Sequence, residues 1–233
     1  MPESGPVGAG LILQHEEAAP AALFAEWCDR RGVAYEVRRV WEDGLPADPG
    51  EHPWICSLGS DHSPGAEGAP DWVEEEVRFL RRALDADVPV LGLCFGGQAL
   101  AAAAGAEIAP ADPPEVGWLD ISTDRPAEIP AGPWLYFHYD QFGLPPGAEE
   151  IARSPAGTAA FRLGRHLGLQ FHPEATPAIV DGWAATDEER LVSLGISRSA
   201  VAIAAREKAP AAEAAAEALF DSWWASLGPR AID

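Results

Sequence analysis

Val88-Pro-Val-Leu-Gly-Leu-Cys-Phe-Gly-Gly-Gln98 is the stretch that decides the fold. Residues 88–93 are wholly apolar, which predicts a short strand buried on both faces, as in a parallel sheet. Cys94 follows directly, then Gly96 and Gly97, and the apolar run 98–104 predicts a helix. A strand that enters a helix through small-x-Cys-x-small makes a sharp elbow. The residues two before and two after the elbow must be small, because the turn brings their Cα atoms against neighbouring backbone.

Working toward the N-terminus, the pattern alternates. Residues 7–13 predict a buried strand, 18–31 a helix with Leu23, Trp27 and Cys28 at helical spacing, and 33–40 a second strand after the turn residue Gly32. Residues 53–58 predict a third strand, followed by a Gly/Ser/Pro-rich loop over 59–70. Asp71 reads as an N-cap with Glu74 as its capping-box partner. Val73, Val77, Leu80 and Leu84 then line one face of a helix. Alternating strands and helices predict an α/β, doubly wound domain with a mostly parallel central sheet and flanking helices.

Beyond the elbow the pattern changes. Short strands are expected at 117–123, 134–137, 150–152, 158–163 and 167–171. Their connections are too short for helical crossovers, so a smaller antiparallel strand element is expected. Helices follow at 176–184, 187–194 and 197–227, the last open to a break at Pro210. Leu219, Trp223 and Leu227 share a face of that helix, as core packing does.

The bulk composition narrows the function. A net charge of −21 excludes nucleic acid and anionic membrane surfaces as partners and favours solubility. The three cysteines, Cys28, Cys56 and Cys94, have no paired spacing, and MPESGPVGAG at the N-terminus has no basic leader region. Both features fit a reducing, cytoplasmic setting. No apolar run approaches ~18 residues, and no CxxC or HxxxH spacing suggests zinc. No metal and no cofactor are therefore expected.

Cys28 falls on an apolar helix face and Cys56 inside an apolar strand, which predicts core positions for both. Cys94 differs. The helix beginning beside it lends partial positive charge to a thiolate, and the Phe95 N–H points where an oxyanion would form. A buried structural cysteine between packing glycines is the alternative. A thiolate nucleophile needs a histidine to exchange protons with a leaving amine. Of His15, His52, His62, His138, His166 and His172, the last stands just after a strand, in Gln170-Phe-His-Pro-Glu174. Strand ends of that kind are where α/β sites form. Glu174, two residues on, can hold the ring in one tautomer and complete a Cys-His-Glu triad.

Gly-Leu-Cys-Phe-Gly-Gly-Gln at 92–98 and Gln-Phe-His-Pro-Glu at 170–174 together resemble the two signature motifs of class I (triad) glutamine amidotransferases. The resemblance extends to Glu115-Val-Gly-Trp118, to the segment Phe137–Gly147 and to Ala160–Gly164, and is nearest to the stand-alone, GMP-synthase-like type. It implies a flavodoxin-like, class I glutamine amidotransferase-like fold. It also implies a single domain over 1–233, with a core at about 7–185 and a C-terminal helical segment at about 186–228. It implies that Cys94 attacks the glutamine amide, that His172 protonates departing ammonia, and that a γ-glutamyl thioester is then hydrolysed. By the same resemblance Gly59 and Phe95 supply the oxyanion N–H groups. Gln98 helps hold substrate, and His138 and Asp140 line the glutamine pocket. The family's Gly-Gly-Pro oxyanion loop is here Leu58-Gly59-Ser60, a departure at the first glycine. Asp61 and His62, next in the chain, suit either the pocket wall or a surface loop. Glu115 and Trp118 suit structural roles, with Trp118 packing.

Three functions are compatible with these residues. One is a glutaminase delivering ammonia to a partner synthase subunit, since no phosphate-cradling glycine loop with lysine appears in the chain. The second is a stand-alone hydrolase of another γ-glutamyl compound, which needs the same triad. The third is a binding module that keeps the fold without catalysis.

Overall fold

The computed structural model describes residues 8–228. Val7, at the head of the expected first strand, and most of the N-terminal decapeptide lie outside the described residues. The first strand is β1 (Gly10–Gln14), buried throughout. Helix α1 (Ala22–Arg31) ends at left-handed Gly32, as the turn residue predicted. Then come β2 (Tyr35–Arg39), the short α2 (Val40–Asp43), β3 (Ile55–Ser57), α3 (Asp71–Asp85), β4 (Val90–Leu93) and α4 (Phe95–Ala103).

The capping-box expectation fails. Pro70 holds the N-cap position, no side chain caps the helix, and Asp71 is already helical. Glu74 pairs instead with Arg78, one turn on.

The second half contributes β5 (Ile108–Leu119), β6 (Ser122–Thr123), β7 (Trp134–Phe142), β8 (Glu149–Arg153), β9 (Thr158–Leu163) and β10 (His166–Leu169). The main sheet has the order β2-β1-β3-β4-β10-β9-β8-β6. Neighbours from β2 through β10 are parallel, and β9, β8 and β6 extend the sheet antiparallel. Strands β5 and β7 form a separate two-stranded ribbon.

The expected strand at 117–123 therefore divides between two sheets, broken after Leu119. Its N-terminal part begins at Ile108, earlier than expected, because Pro110, Pro113 and Pro114 mask it. A ribbon strand with only one partner tolerates prolines that a central strand would not.

Helices α5 (Pro177–Thr186), α6 (Glu188–Ser193) and α7 (Arg198–Ser226) close the chain. Thr176 caps α5 through its side chain. Helix α7 runs through Pro210 without ending, on an exposed face. None of the helices among the described residues is long and apolar enough to cross a membrane.

The apolar packing sits on both faces of the sheet. Trp27, Trp54, Leu219, Phe220 and Trp223 join one cluster, and Phe79, Leu80, Phe95 and Leu100 another. Each such side chain fully buried stabilises the fold by roughly 1.5–3 kcal/mol relative to exposure. The parallel strands end along a common edge, with β4 between β3 and β10. The loops after β1, β3, β4 and β10 therefore converge there.

Candidate active site

The elbow is as sharp as the glycines implied. Cys94 has φ +51° and ψ −106°, a left-handed value that costs a side-chain-bearing residue about 1–3 kcal/mol. The close packing shows why the flanking residues are small. A Cβ on Gly92 would lie 2.4 Å from the Gly96 carbonyl oxygen, and one on Gly96 would lie 2.0 Å from that of Ser57. The Cys94 N–H is taken by the Leu169 carbonyl at 2.9 Å. Phe95 opens α4, and its N–H has no acceptor among the described residues. Gln170 donates from Nε2 to the Cys94 sulfur at 3.8 Å, a role its place in the motif did not reveal.

His172 is set on the neighbouring strand end. Its backbone N–H donates to Leu135 of β7 at 2.9 Å, and its Nδ1 lies 2.7 Å from Glu174 Oε1. A carboxylate accepts, so Nδ1 carries the proton and Nε2 is left for the Cys94 side. Both side chains are buried. Burial is the largest influence on the ring and pushes its pKa down. The Cys94 sulfur and the Glu174 carboxylate, by charge and hydrogen bonding, outweigh it and raise the pKa to about 10. The other two cysteines sit in the core as expected. Burial pushes the Cys28 thiol up to about 12 and Cys56 well above the ordinary thiol range.

The loop after β3 closes over the histidine. The Leu58 carbonyl accepts the Gly96 N–H at 3.0 Å. A Cβ on Gly59 would lie 2.8 Å from His172 Cε1, so only glycine leaves the imidazole where it is. The departure at Leu58 is absorbed by the core, where its side chain is wholly buried.

These residues line a cavity of about 280 Å³. Cys94, His172, Gly59, Gln98, His138 and Asp140 all line it. Gln98 donates from Nε2 to the Asp140 carbonyl at 2.8 Å, which ties α4 to β7. His138 bonds through Nδ1 to that same carbonyl at 2.9 Å and through Nε2 to Glu115 at 3.0 Å. Glu115 is structural, as anticipated. Burial works against its charge, yet bonds from His138, the Ala156 N–H and Ser154 hold it below the ordinary carboxylate range. Trp118 packs on the cluster around Leu135.

Asp61 and His62 are both exposed and both on the cavity wall. The Asp61 N–H donates to Glu16 at 3.0 Å. Sequence reasoning missed Glu16, Tyr139, Trp183, Asp187 and Arg190, which complete the wall. Tyr139 donates to Asp187, and the Arg190 guanidinium lies 3.2 Å from the centroid of the Tyr139 ring. These contacts join α6 to β7, across 48 residues of chain, and no local pattern signals them.

The family model described as glutamine amidotransferase class-I matches residues 62–182, more than half of the chain, and includes Cys94, His172 and Glu174. The chain belongs to this family. The chain is 39% identical over 121 residues to the glutamine-hydrolyzing GMP synthase of Thermomicrobium roseum, a match covering 48% of this chain and 21% of that protein. It is 33% identical over 155 residues to that of Phenylobacterium zucineum, covering 59% of this chain and 30% of that protein. The match thus spans less than a third of the length of these curated relatives. The fold is shared with solved structures. A glutamine amidotransferase from Methylobacillus flagellatus superposes with a TM-score of 0.84 at 23% identity, covering 94% of this chain and 95% of that one. One from Thermotoga maritima gives 0.83 at 19%, covering 97% and 100%.

Proposed function

We propose that this amidotransferase hydrolyses the side-chain amide of glutamine through Cys94, His172 and Glu174, and delivers the ammonia to a partner synthase subunit. The observation that carries it is the strained Cys94 at the N-terminus of α4, lining the same cavity as the Glu174-bound His172.

The Cys94 thiolate attacks the amide carbon of glutamine, and the carbonyl electron pair moves to oxygen. Phe95 and Gly59 N–H groups receive that oxyanion. The His172 imidazolium gives its Nε2 proton to the amide nitrogen, the C–N bond breaks, and ammonia leaves behind a γ-glutamyl thioester. A water molecule then gives a proton to Nε2 as it attacks the thioester. The tetrahedral adduct collapses, the thiolate departs, and glutamate is released. Glu174 keeps the ring in the required tautomer throughout. Gln98, His138 and Asp140 shape the pocket that receives glutamine.

The relatives named as GMP synthases are several times longer than the region matched here. That favours a glutaminase whose synthase chemistry is supplied by another polypeptide region. The test measures ammonia and amine release side by side from glutamine and from γ-glutamyl amides with larger leaving groups, with and without co-purified proteins. Glutamine turnover that rises with a co-purified synthase is expected. Efficient cleavage of bulkier γ-glutamyl amides by the isolated chain, with poor glutamine turnover under all conditions, would overturn it.

A further inference from the structure

A third buried histidine–glutamate pair, beside His172–Glu174 and His138–Glu115, lies behind the loop after β3, and its histidine is outside the cavity wall. His15 Nε2 is 2.7 Å from Glu76 Oε2, and His15 Nδ1 is 3.1 Å from the Gly59 carbonyl oxygen. Ser57 donates to the other Glu76 oxygen at 2.6 Å. All three side chains are buried, with Glu76 and Ser57 at 0% exposure. The His15 ring is stacked on Trp72 at 5.1 Å and meets Phe95 edge-on at 4.8 Å, so it has no room to turn.

The proton inventory is fixed by the partners. A carbonyl can only accept, so Nδ1 must donate to Gly59. Ser57 donates to Oε1, and one proton occupies the contact between Nε2 and Oε2. Burying such a network with every member satisfied is costly to disturb. Its one outlet toward the cavity is the Gly59 carbonyl.

That outlet sets the loop. In a planar trans peptide the C=O of Gly59 and the N–H of Ser60 point in opposite directions. Gly59 and Ser60 line the cavity and His15 does not. With the carbonyl turned back to His15, the Ser60 N–H is turned to the cavity side. A flip of this one peptide would put a carbonyl oxygen where an oxyanion must form, and the two would repel. The preceding peptide is pinned in the same way, because the Leu58 carbonyl is held by Gly96.

We propose that His15 and Glu76 are positioning residues that hold the Gly59–Ser60 peptide with its carbonyl turned away from the place where the Gly59 and Phe95 N–H groups receive the oxyanion. This rests on the glutaminase function proposed above.

The test compares His15→Phe, which keeps a ring and loses both bonds, with His15→Asn, whose amide nitrogen can replace Nδ1 as donor to Gly59. If His15→Phe does not fold, His15→Gln, which places no donor at the Nδ1 position, takes its place. The oxyanion exists only in the transition state, so kcat should fall on the order of 10²-fold in His15→Phe with KM nearly unchanged. Alkylation of Cys94 by iodoacetamide needs no oxyanion hole and should keep its rate. His15→Asn should recover most of the lost kcat. An undiminished kcat in His15→Phe, an equal loss in His15→Asn, or alkylation falling in step with kcat would overturn the proposal. If wild-type protein releases no ammonia from glutamine under any condition, the glutaminase function fails. Crystal structures of the two variants then decide the pin alone. A Gly59 carbonyl turned into the cavity in His15→Phe and held out of it in His15→Asn supports it, and a carbonyl unmoved in His15→Phe refutes it.

Discussion

The Nδ1 of His172 lies 2.7 Å from Oε1 of Glu174, with only Pro173 between them in the chain. Pro173, with its φ fixed by the ring, limits the backbone behind the imidazole over this short span. Replacing Glu174 with Gln keeps the shape and removes the charge that stabilises the imidazolium. Ammonia release from glutamine should fall by roughly 10²–10⁴ in kcat with a small change in KM. Steady-state assays on Glu174→Gln that show less than a threefold loss would remove Glu174 from the mechanism.

In the proposed mechanism the protonated His172 ring is the acid in the first half-reaction, and its pKa is raised to about 10. A raised value means that the acid form survives as pH climbs past the ordinary histidine range and is lost only near 10. The profile of kcat/KM should therefore keep its activity through pH 8 and decline close to 10. In Glu174→Gln the alkaline limb should move to lower pH, since one of the groups raising the ring is gone.

Gly59 meets the edge of His172, and a methyl group there would sit 2.8 Å from Cε1. Gly59→Ala should displace the imidazole by a fraction of an ångström, and activity should drop about 10–100-fold. The melting temperature should barely change, since the ring borders a cavity and can yield. Calorimetry and ammonia release on the same preparation separate the two effects.

Gly96 has no such freedom. A Cβ at this position would be 2.0 Å from the Ser57 carbonyl oxygen, and backbone cannot step aside cheaply. Gly96→Ala should destabilise the protein by about 1–3 kcal/mol or more, read as a lowered midpoint in urea. An unchanged midpoint would mean that the helix and β3 are not packed as closely as described.

His166 supplies an acid-side stability test. Burial pushes its pKa down to about 4, against the ordinary 6.5, with Asp87 opposing and Arg165 adding to the depression. The folded state therefore binds fewer protons than the unfolded one between these values. Stability from this group is present above pH 6.5 and is lost as pH falls toward 4. In His166→Leu the melting temperature should decline less steeply across that interval than in the wild type.

Much of the site was legible because its constraints are local. Gly92, Cys94, Gly96 and the Phe-His-Pro-Glu stretch each carry their geometry within a few residues, and the alternating apolar runs gave the parallel strands. The failures have physical causes as well. Prolines concealed β5, since a ribbon edge tolerates what a central strand excludes. Asp71 carried a capping signature, but the helix began one residue earlier than that signature required. The His15–Glu76 pair joins positions 61 residues apart, and no short pattern marks it. One clue was present: Glu76 falls three residues after Val73 and four before Leu80, on the apolar stripe of α3, where a carboxylate demands a partner.

Strand β7 has a wider consequence. Leu135 holds the backbone of His172 at one point along it, and Asp140 holds Gln98 at another. His172 and Gln98 are thus moored to one ribbon whose other strand, β5, pairs with no further strand among the described residues. Any displacement of β7 would therefore reach both residues through these two hydrogen bonds, without an atom entering the cavity.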